Sequence, residues 1–523
     1  MKNTNYLIVA IALIGNSFLL RAQVPGTIDT DFGTNGYLLT DHVAQYGENF
    51  LDMTVLPDNS FILIGVVGGD NEDILLAKYD ADGTPADGFG NMGVAQLDLS
   101  LGGYDLGFVV VPLSDGKLLI GGSTEVKSGN SGFVTRLNAD GSIDNSFGEG
   151  GTGTTLLNAG NGSQATVTDI VVQPDNNILA LAAVEGDNGN MDIAVFKLTA
   201  GGGIVESFAS SGVSLIDLGG FNSDDIAEDL DLLPDGRMVI GGHSDSDIRV
   251  GFVMLLNTYG LIENSFNLTG YYLYNLLQMD QRVLAVNAST GKIFATGYTA
   301  SGTNSDGFVL CLDTYGTPDD AFGTDGVVTS DIGTDNGIIL QNIVMLEENK
   351  ILLTGHTSGV SINGPYALLL TASGSPDADF APGGSIYPEL GLNIAYLSGT
   401  VAGVQSDGRI LLGGYLASED FQGDNMYMMR IFGPESASGT TDQPANAAMV
   451  HCYPNPATQY FRIETGDEKL ISVSLYSAQG QLINCWKGNP GNFYLPEQMS
   501  EGVHVLVIET EQHVFSSSLV IAP

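Results

Sequence analysis

Residues 141–151 read GSIDNSFGEGG: a glycine, a phenylalanine six residues on, and a second glycine four residues after that. The same frame recurs around Phe32, Phe89, Phe147, Phe208, Phe266, Phe322 and Phe380, at spacings of 56–61 residues. A fixed period of this length marks a repeated supersecondary unit. The seven leading glycines are Gly26, Gly83, Gly141, Gly202, Gly260, Gly316 and Gly374; the trailing ones are Gly36, Gly93, Gly151, Gly212, Gly270, Gly326 and Gly384. Glycine at such fixed places allows positive φ or close backbone approach. The phenylalanine is read as a plug between neighbouring units, the competing reading being a ligand-binding loop repeated seven times.

About 25 residues past each phenylalanine comes a turn between apolar runs, as in LPDGRMVIGG at 233–242 and QSDGRILLGG at 405–414. Asp-Gly there is a hairpin signal. A third run follows, such as GFVMLLN at 251–257, and a fourth follows the Phe turn. These strands are apolar on both faces: Phe252, Met254 and Leu256 point one way, Val253 and Leu255 the other. A sheet wetted on one side would alternate with polar residues. Four-stranded sheets covered on both faces and repeated radially are the blades of a β-propeller. The first Phe turn, at 26–36, has no third run before it, and the last third run, MYMMRIFG at 426–433, leads into no Phe turn. The start of the mature chain therefore supplies the strand that the last unit lacks, and closing the ring removes exposed sheet edges. The fold expected is all-β, a seven-bladed β-propeller over 23–433 followed by a small β-sandwich.

The chain has 523 residues, 70 of them glycine, 43% hydrophobic residues and a net charge of −44. That charge repels nucleic-acid phosphates and anionic lipid, so nucleic acid is excluded as a partner. Residues 1–22 read as a signal peptide, with Lys2 before an apolar stretch from Tyr6 to Leu20; the run is too short and too interrupted for a membrane anchor. No transmembrane segment is expected in the mature chain. Residues 434–449 are small and polar and read as a linker. Beyond them, strand-like runs such as KLISVSLYSAQGQLI form the sandwich of residues 450–523. Of three cysteines, Cys311 lies in an apolar strand, while Cys452 and Cys485 could pair in an oxidising compartment.

The turns resemble the delta-60 repeat of secreted bacterial proteins, best at LNADGSIDNSFGEGG (137–151) and LDTYGTPDDAFGTDG (312–326), over roughly residues 26–433. Ala209 and Asn267 stand where other units have glycine after the phenylalanine. The resemblance implies a propeller-like fold and supplies no activity or catalytic residues. The tail resembles the C-terminal sorting domain of the type IX secretion system through Tyr453-Pro454-Asn455-Pro456, Gly480-Gln481-Leu482-Ile483 and the run from Met499 to Ile508. That resemblance implies contact with the type IX secretion machinery, export across an outer membrane, removal of the tail, and release or surface attachment.

Chemistry is sparse. There are six histidines, no HExxH, no Cys/His metal spacing, no GxSxG elbow and no phosphate-cradling loop. One repeat column is uneven: the residue after the second hairpin strand's small position is Val66, Ser123 and Ala183 in three units, then His243, Tyr298, His356 and Tyr415. These four either line one side of a shared face, fit to stack on sugars, or are variable loop-start residues. The loops that follow, VGGDNED (67–73), EGDNGNMD (185–192), HSDSDIRVG (243–251) and LASEDFQGDN (416–425), carry carboxylates suited to Ca²⁺ or simply to solvent. The role that follows is a non-catalytic binding or adhesion module for a glycan or protein. The alternatives are a polysaccharide-active enzyme with paired carboxylates in a propeller pocket and a structural surface protein.

Overall fold

A computed structural model describes residues 24–434 and 451–521, with short loop stretches left out, among them 41–46, 159–163, 219–222, 246–248, 275–278 and 419–423. The signal peptide and nearly all of the linker expected from the sequence lie outside the described residues. The chain divides into two compact units, one over 24–435 and one containing 436–523.

The first unit holds seven four-stranded antiparallel sheets. Six use consecutive strands, over residues 48–97, 105–157, 165–216, 224–274, 280–330 and 336–386; these are blades 1 to 6. Blade 7 takes three strands from residues 394–432 and its outermost strand, Tyr37–Thr40, from the start of the chain. Tyr37 pairs with Met429 and Thr40 with Met426, and Ile28 bridges to Ile431. The first strand of each blade packs against the first strands of both neighbours, blade 7 against blade 1 included, so the ring is closed. Middle strands such as Phe61–Val67 and Arg249–Leu256 are buried on both faces, as an enclosed blade requires.

The repeated glycine–phenylalanine frame sits at the blade junctions. Every one of the seven phenylalanines is at most 3% exposed. Each of the six from Phe32 to Phe322 lies under the leading glycine of the next unit: a Cβ on Gly83 would stand 2.9 Å from Phe32, and one on Gly260 2.5 Å from Phe208. The seventh closes the circle, since a Cβ on Gly26 would stand 2.6 Å from the carbonyl oxygen of Phe380. Both Gly26 and Gly83 have positive φ, so side chains are barred there twice over. Where Ala209 and Asn267 replace glycine, the backbone keeps positive φ, and their amides bond to Tyr259 and Tyr315 of the next turn.

The second unit is a small two-sheet domain. Strands His451–Tyr453, Tyr460–Glu464 and Phe493–Tyr494 form one sheet; Leu470–Tyr476, Leu482–Lys487, Gly502–Thr510 and Val514–Ile521 form the other. Phe461, Ile463 and Phe493 from the first pack on Val473, Leu475, Leu506 and Ile508 from the second. The Cys452–Cys485 pairing left open by the sequence is not formed: Cys485 is a free, exposed thiol. Cys452 belongs to the opposite sheet, paired across to Ile463, while Cys485 pairs with Ser474 and faces outward. Cys311 is a buried free thiol. Among the described residues no helix is long and apolar enough to cross a membrane.

Candidate functional site

The strand lining the axis carries a β-bulge at the same place in all seven blades. A bulge inserts an extra residue and re-aims the side chains beside it. In blades 1, 3 and 4 the residue leaving the bulge is an aspartate. Asp52 accepts hydrogen bonds from its neighbour's amide, Met53, at 2.7 Å and from Val110 of blade 2 at 2.8 Å. Asp169 likewise accepts from Ile170 at 2.7 Å and from Leu230 of blade 4 at 3.0 Å. Asp229 takes Leu230 at 3.0 Å and Val286 of blade 5 at 2.7 Å. Two residues on, Asp231 repeats the pattern with Leu232 and Ala288, both at 2.7 Å. Each carboxylate thus ties its own strand to the next blade.

These carboxylates are desolvated with little cationic compensation, which favours their neutral forms. Burial pushes Asp52 up to about 7, with the charge of Asp229 adding to it. Burial pushes Asp169 up to about 6 and raises Asp229 well above the ordinary carboxylate range, and the two carboxyl groups share a hydrogen bond. The bulge residue of blade 4, Glu228, is pushed up to about 7 by burial and by Asp229 and Asp245, against the pull of Arg282.

Beside Glu228 stands the first residue of the uneven column. His243 is 3% exposed, with Nδ1 3.4 Å from Glu228 Oε1 and Nε2 3.7 Å from Asp245 Oδ1. Desolvation lowers its pKa to about 4, so the ring is neutral at physiological pH. Asp245 is fastened to Arg249 at 2.7 Å. His356 repeats the arrangement in blade 6: it is buried, its pKa falls to about 4 by desolvation, and its Nδ1 lies 2.9 Å from Oε1 of Gln341, the bulge residue there. The histidines therefore serve their own blades' bulges and do not present rings to a shared face. Tyr298 is half-buried and paired in register with Arg282. The side chain of Tyr415 lies outside the described residues.

The axial aspartates escaped the sequence reading. Their signal is an acidic residue in a mostly apolar strand, as in FLDMTV (50–55) and TDIVV (168–172), or acids alternating with leucine, as in EDLDL (228–232), visible only once the bulges put the strands in register. A pocket of about 370 Å³ opens where the hairpin turns of blades 7, 1 and 2 meet, lined by Val55, Leu56, Pro57, Pro112, Leu113 and Val404 among others. Two carboxylate triads at blade junctions have oxygens close enough to share a metal: Asp73, Asp98 and Asp105, and Asp192, Asp217 and Asp225. They include the last residues of two acidic loops singled out for Ca²⁺.

Residues 113–147 and 288–322 match the family described as a domain of unknown function (DUF5122) beta-propeller, and residues 451–522 match the secretion system C-terminal sorting domain. No curated protein matches the chain. Among solved structures, it is similar to a protein of unknown function from Dyadobacter fermentans DSM 18053 (14% identity, 76% of this chain and 98% of the other, TM-score 0.41). It is also similar to a polysaccharide lyase PL25 ulvan lyase (12%, 76% and 97%, TM-score 0.45) and to a Trypanosoma rangeli sialidase (9%, 81% and 86%, TM-score 0.35). Likenesses this distant bear on no activity. The chain is a β-propeller with DUF5122-type repeats, carrying a type IX sorting domain that directs it to the cell surface or the medium.

Proposed function

We propose that the propeller is a non-catalytic binding module for a glycan or a protein outside the cell. The observation that carries this reading is how its carboxylates are spent. Asp52, Asp169, Asp229 and Asp231 each bond two backbone amides and act as ties between blades. Glu228 and Asp245 stand at opposite edges of the His243 ring, and Asp245 is held by Arg249. Acid–base cleavage of a glycosidic bond needs two carboxyl groups converging on open space, which this arrangement does not offer. What remains accessible near blades 4 and 5 is a polar set, Arg249, Asp280 and Tyr298, suited to hydrogen-bonding a polar ligand.

A second reading, a polysaccharide-active enzyme, draws on one observation: Glu228, at about 7, has the pKa of a general acid or base at neutral pH. Both readings are tested on the full chain with a glycan array and a reducing-end release assay. The binding reading expects retention of specific glycans or of an extracellular protein, weakened at least tenfold in Arg249→Ala/Tyr298→Ala, with no sugar released. Depolymerisation abolished by Glu228→Gln would overturn it in favour of the enzyme.

A further inference from the structure

Where blade 1 passes to blade 2, three carboxylates meet. Asp73 opens the third strand of blade 1, Asp98 follows its outer strand, and Asp105 opens the inner strand of blade 2. One oxygen of each lies within 4.8 Å of one from each of the others. All three are fixed by neutral donors. Asp73 Oδ2 accepts from Gln96 Nε2 at 2.7 Å, and Asp98 Oδ1 from the amide of Gly102 at 3.1 Å. Asp105 is fully buried; its Oδ2 accepts from the amides of Leu99 at 2.7 Å and Ser100 at 3.0 Å, and from Ser100 Oγ at 3.0 Å. Its Oδ1 is buried too, and has no hydrogen-bond partner.

Two penalties coincide here. A buried acceptor lacks a donor, which native structures seldom tolerate, and three carboxylates are gathered within reach of one another. Among the described residues no lysine or arginine forms an ion pair with any of the three. One divalent cation removes both penalties at once. An all-oxygen, all-anionic donor set selects a hard ion, and without nitrogen or sulfur it does not suit zinc. Ca²⁺ takes oxygens at about 2.3–2.6 Å in a flexible shell that tolerates several carboxylates, whereas Mg²⁺, with oxygens at about 2.1 Å, demands near-ideal octahedral geometry and usually keeps several waters.

The repeat itself does not require these acids. The same three positions hold Ser131, Asn158 and Ala165 between blades 2 and 3, and Asp306, Asp331 and Ile338 between blades 5 and 6. Three aspartates return at one other junction, between blades 3 and 4, as Asp192, Asp217 and Asp225. There Asp225 is again fully buried and again holds the loop after the outer strand, through the amide of Leu218.

We propose that Asp73, Asp98 and Asp105 form a Ca²⁺ site that pins the outer edge of blade 1 to the inner strand of blade 2. Extracellular Ca²⁺ modules bind with Kd of about 10⁻⁴–10⁻³ M, and an ion that binds only the folded state raises the melting temperature as its concentration passes Kd. The test titrates CaCl₂ into the full chain, stripped with EDTA, and follows heat and melting temperature in wild type, Asp98→Asn and Asp73→Asn/Asp98→Asn. Asp105 is left intact because it also secures the Leu99–Ser100 loop, and Asp98 alone is exposed enough to keep the fold. The expected result is that both variants bind one Ca²⁺ equivalent fewer than wild type and lose part of its Ca²⁺-dependent melting shift. In EDTA they should melt at or above wild type, because repulsion is relieved. Wild type without saturable binding at millimolar Ca²⁺, or variants binding as many equivalents as wild type, would overturn the proposal.

Discussion

Blade 2 and the closing blade carry the same knot of charges on differently connected chain. In blade 2, Asp144 takes Lys117 Nζ at 2.6 Å and Arg136 Nε at 2.7 Å, and Arg136 lies over the Phe147 ring at 4.9 Å. In blade 7, Asp29 takes Arg409 Nε at 2.9 Å and Arg430 Nη2 at 2.8 Å, and Arg430 lies over Phe32 at 4.9 Å. Each aspartate sits three residues before its repeat phenylalanine. Asp144 and Arg136 are eight residues apart; Asp29 and Arg430 are 401 apart. The geometry therefore comes from the repeat, and the difference lies in what the contact holds. Closing the longer loop costs roughly 3–4 kcal/mol more in chain entropy. In blade 2 the covalent chain keeps the turn near its partners, whereas in blade 7 side chains and one strand pairing do that work.

The strongest way to break the comparison is to delete residues 24–40. Blade 7 then loses its outer strand and exposes the edge of Asp424–Phe432. We expect loss of cooperative unfolding and onset of association, read by circular dichroism and size-exclusion chromatography; a cooperative, monomeric product would show that closure is dispensable. Next in size, Asp29→Ala leaves Arg430, 6% exposed, without its anionic partner. Breaking a buried pair costs about 3–5 kcal/mol, measured by urea denaturation. Asp144→Ala should cost less, roughly 1–3 kcal/mol, because Lys117 retains 30% side-chain exposure and can rehydrate. Equal costs would remove the distinction between the two blades.

Two smaller effects depend on pH. Lys117, Ser146 and Arg136 hold the Asp144 carboxyl well below the ordinary range. Its stabilisation is present at neutral pH and is lost as pH falls below about 4, the unfolded value. The gap between wild type and Asp144→Asn should therefore shrink on acidification. Glu228 behaves oppositely: its folded pKa is raised to about 7, so the stability it contributes is fully present in acid and is lost as pH rises from about 4 to about 7. Glu228→Gln should match wild type in melting temperature at pH 4 and exceed it slightly at pH 8; a variant less stable at pH 8 would show that Arg282 outweighs desolvation.

The ring was legible because its determinants are local and periodic. A phenylalanine between two glycines marks a junction whatever the loops do, and the unmatched turn at 26–36 foretold the strand exchange. The site was less legible because its determinants depend on register. His243 and His356 look like face residues in a linear column, but a bulge in the adjacent strand draws both inward. Asp52, Asp169 and Asp229 stand at equivalent places only after those bulges are counted. The Asp73–Asp98–Asp105 triad joins strand ends of two blades, and only Asp73 fell within a loop singled out for its acids. Cys452 and Cys485 are near in sequence, but the sandwich puts them in different sheets.

Closure of the ring by the chain's own start is most directly tested by amide hydrogen exchange of the intact protein. Amides of Tyr37–Thr40 should be protected to the same degree as the matching outer strands Val94–Leu97, Thr154–Leu157 and Val213–Ile216. Exchange of 37–40 at the rate of an unfolded chain, while those three stay protected, would contradict the closed seven-bladed ring.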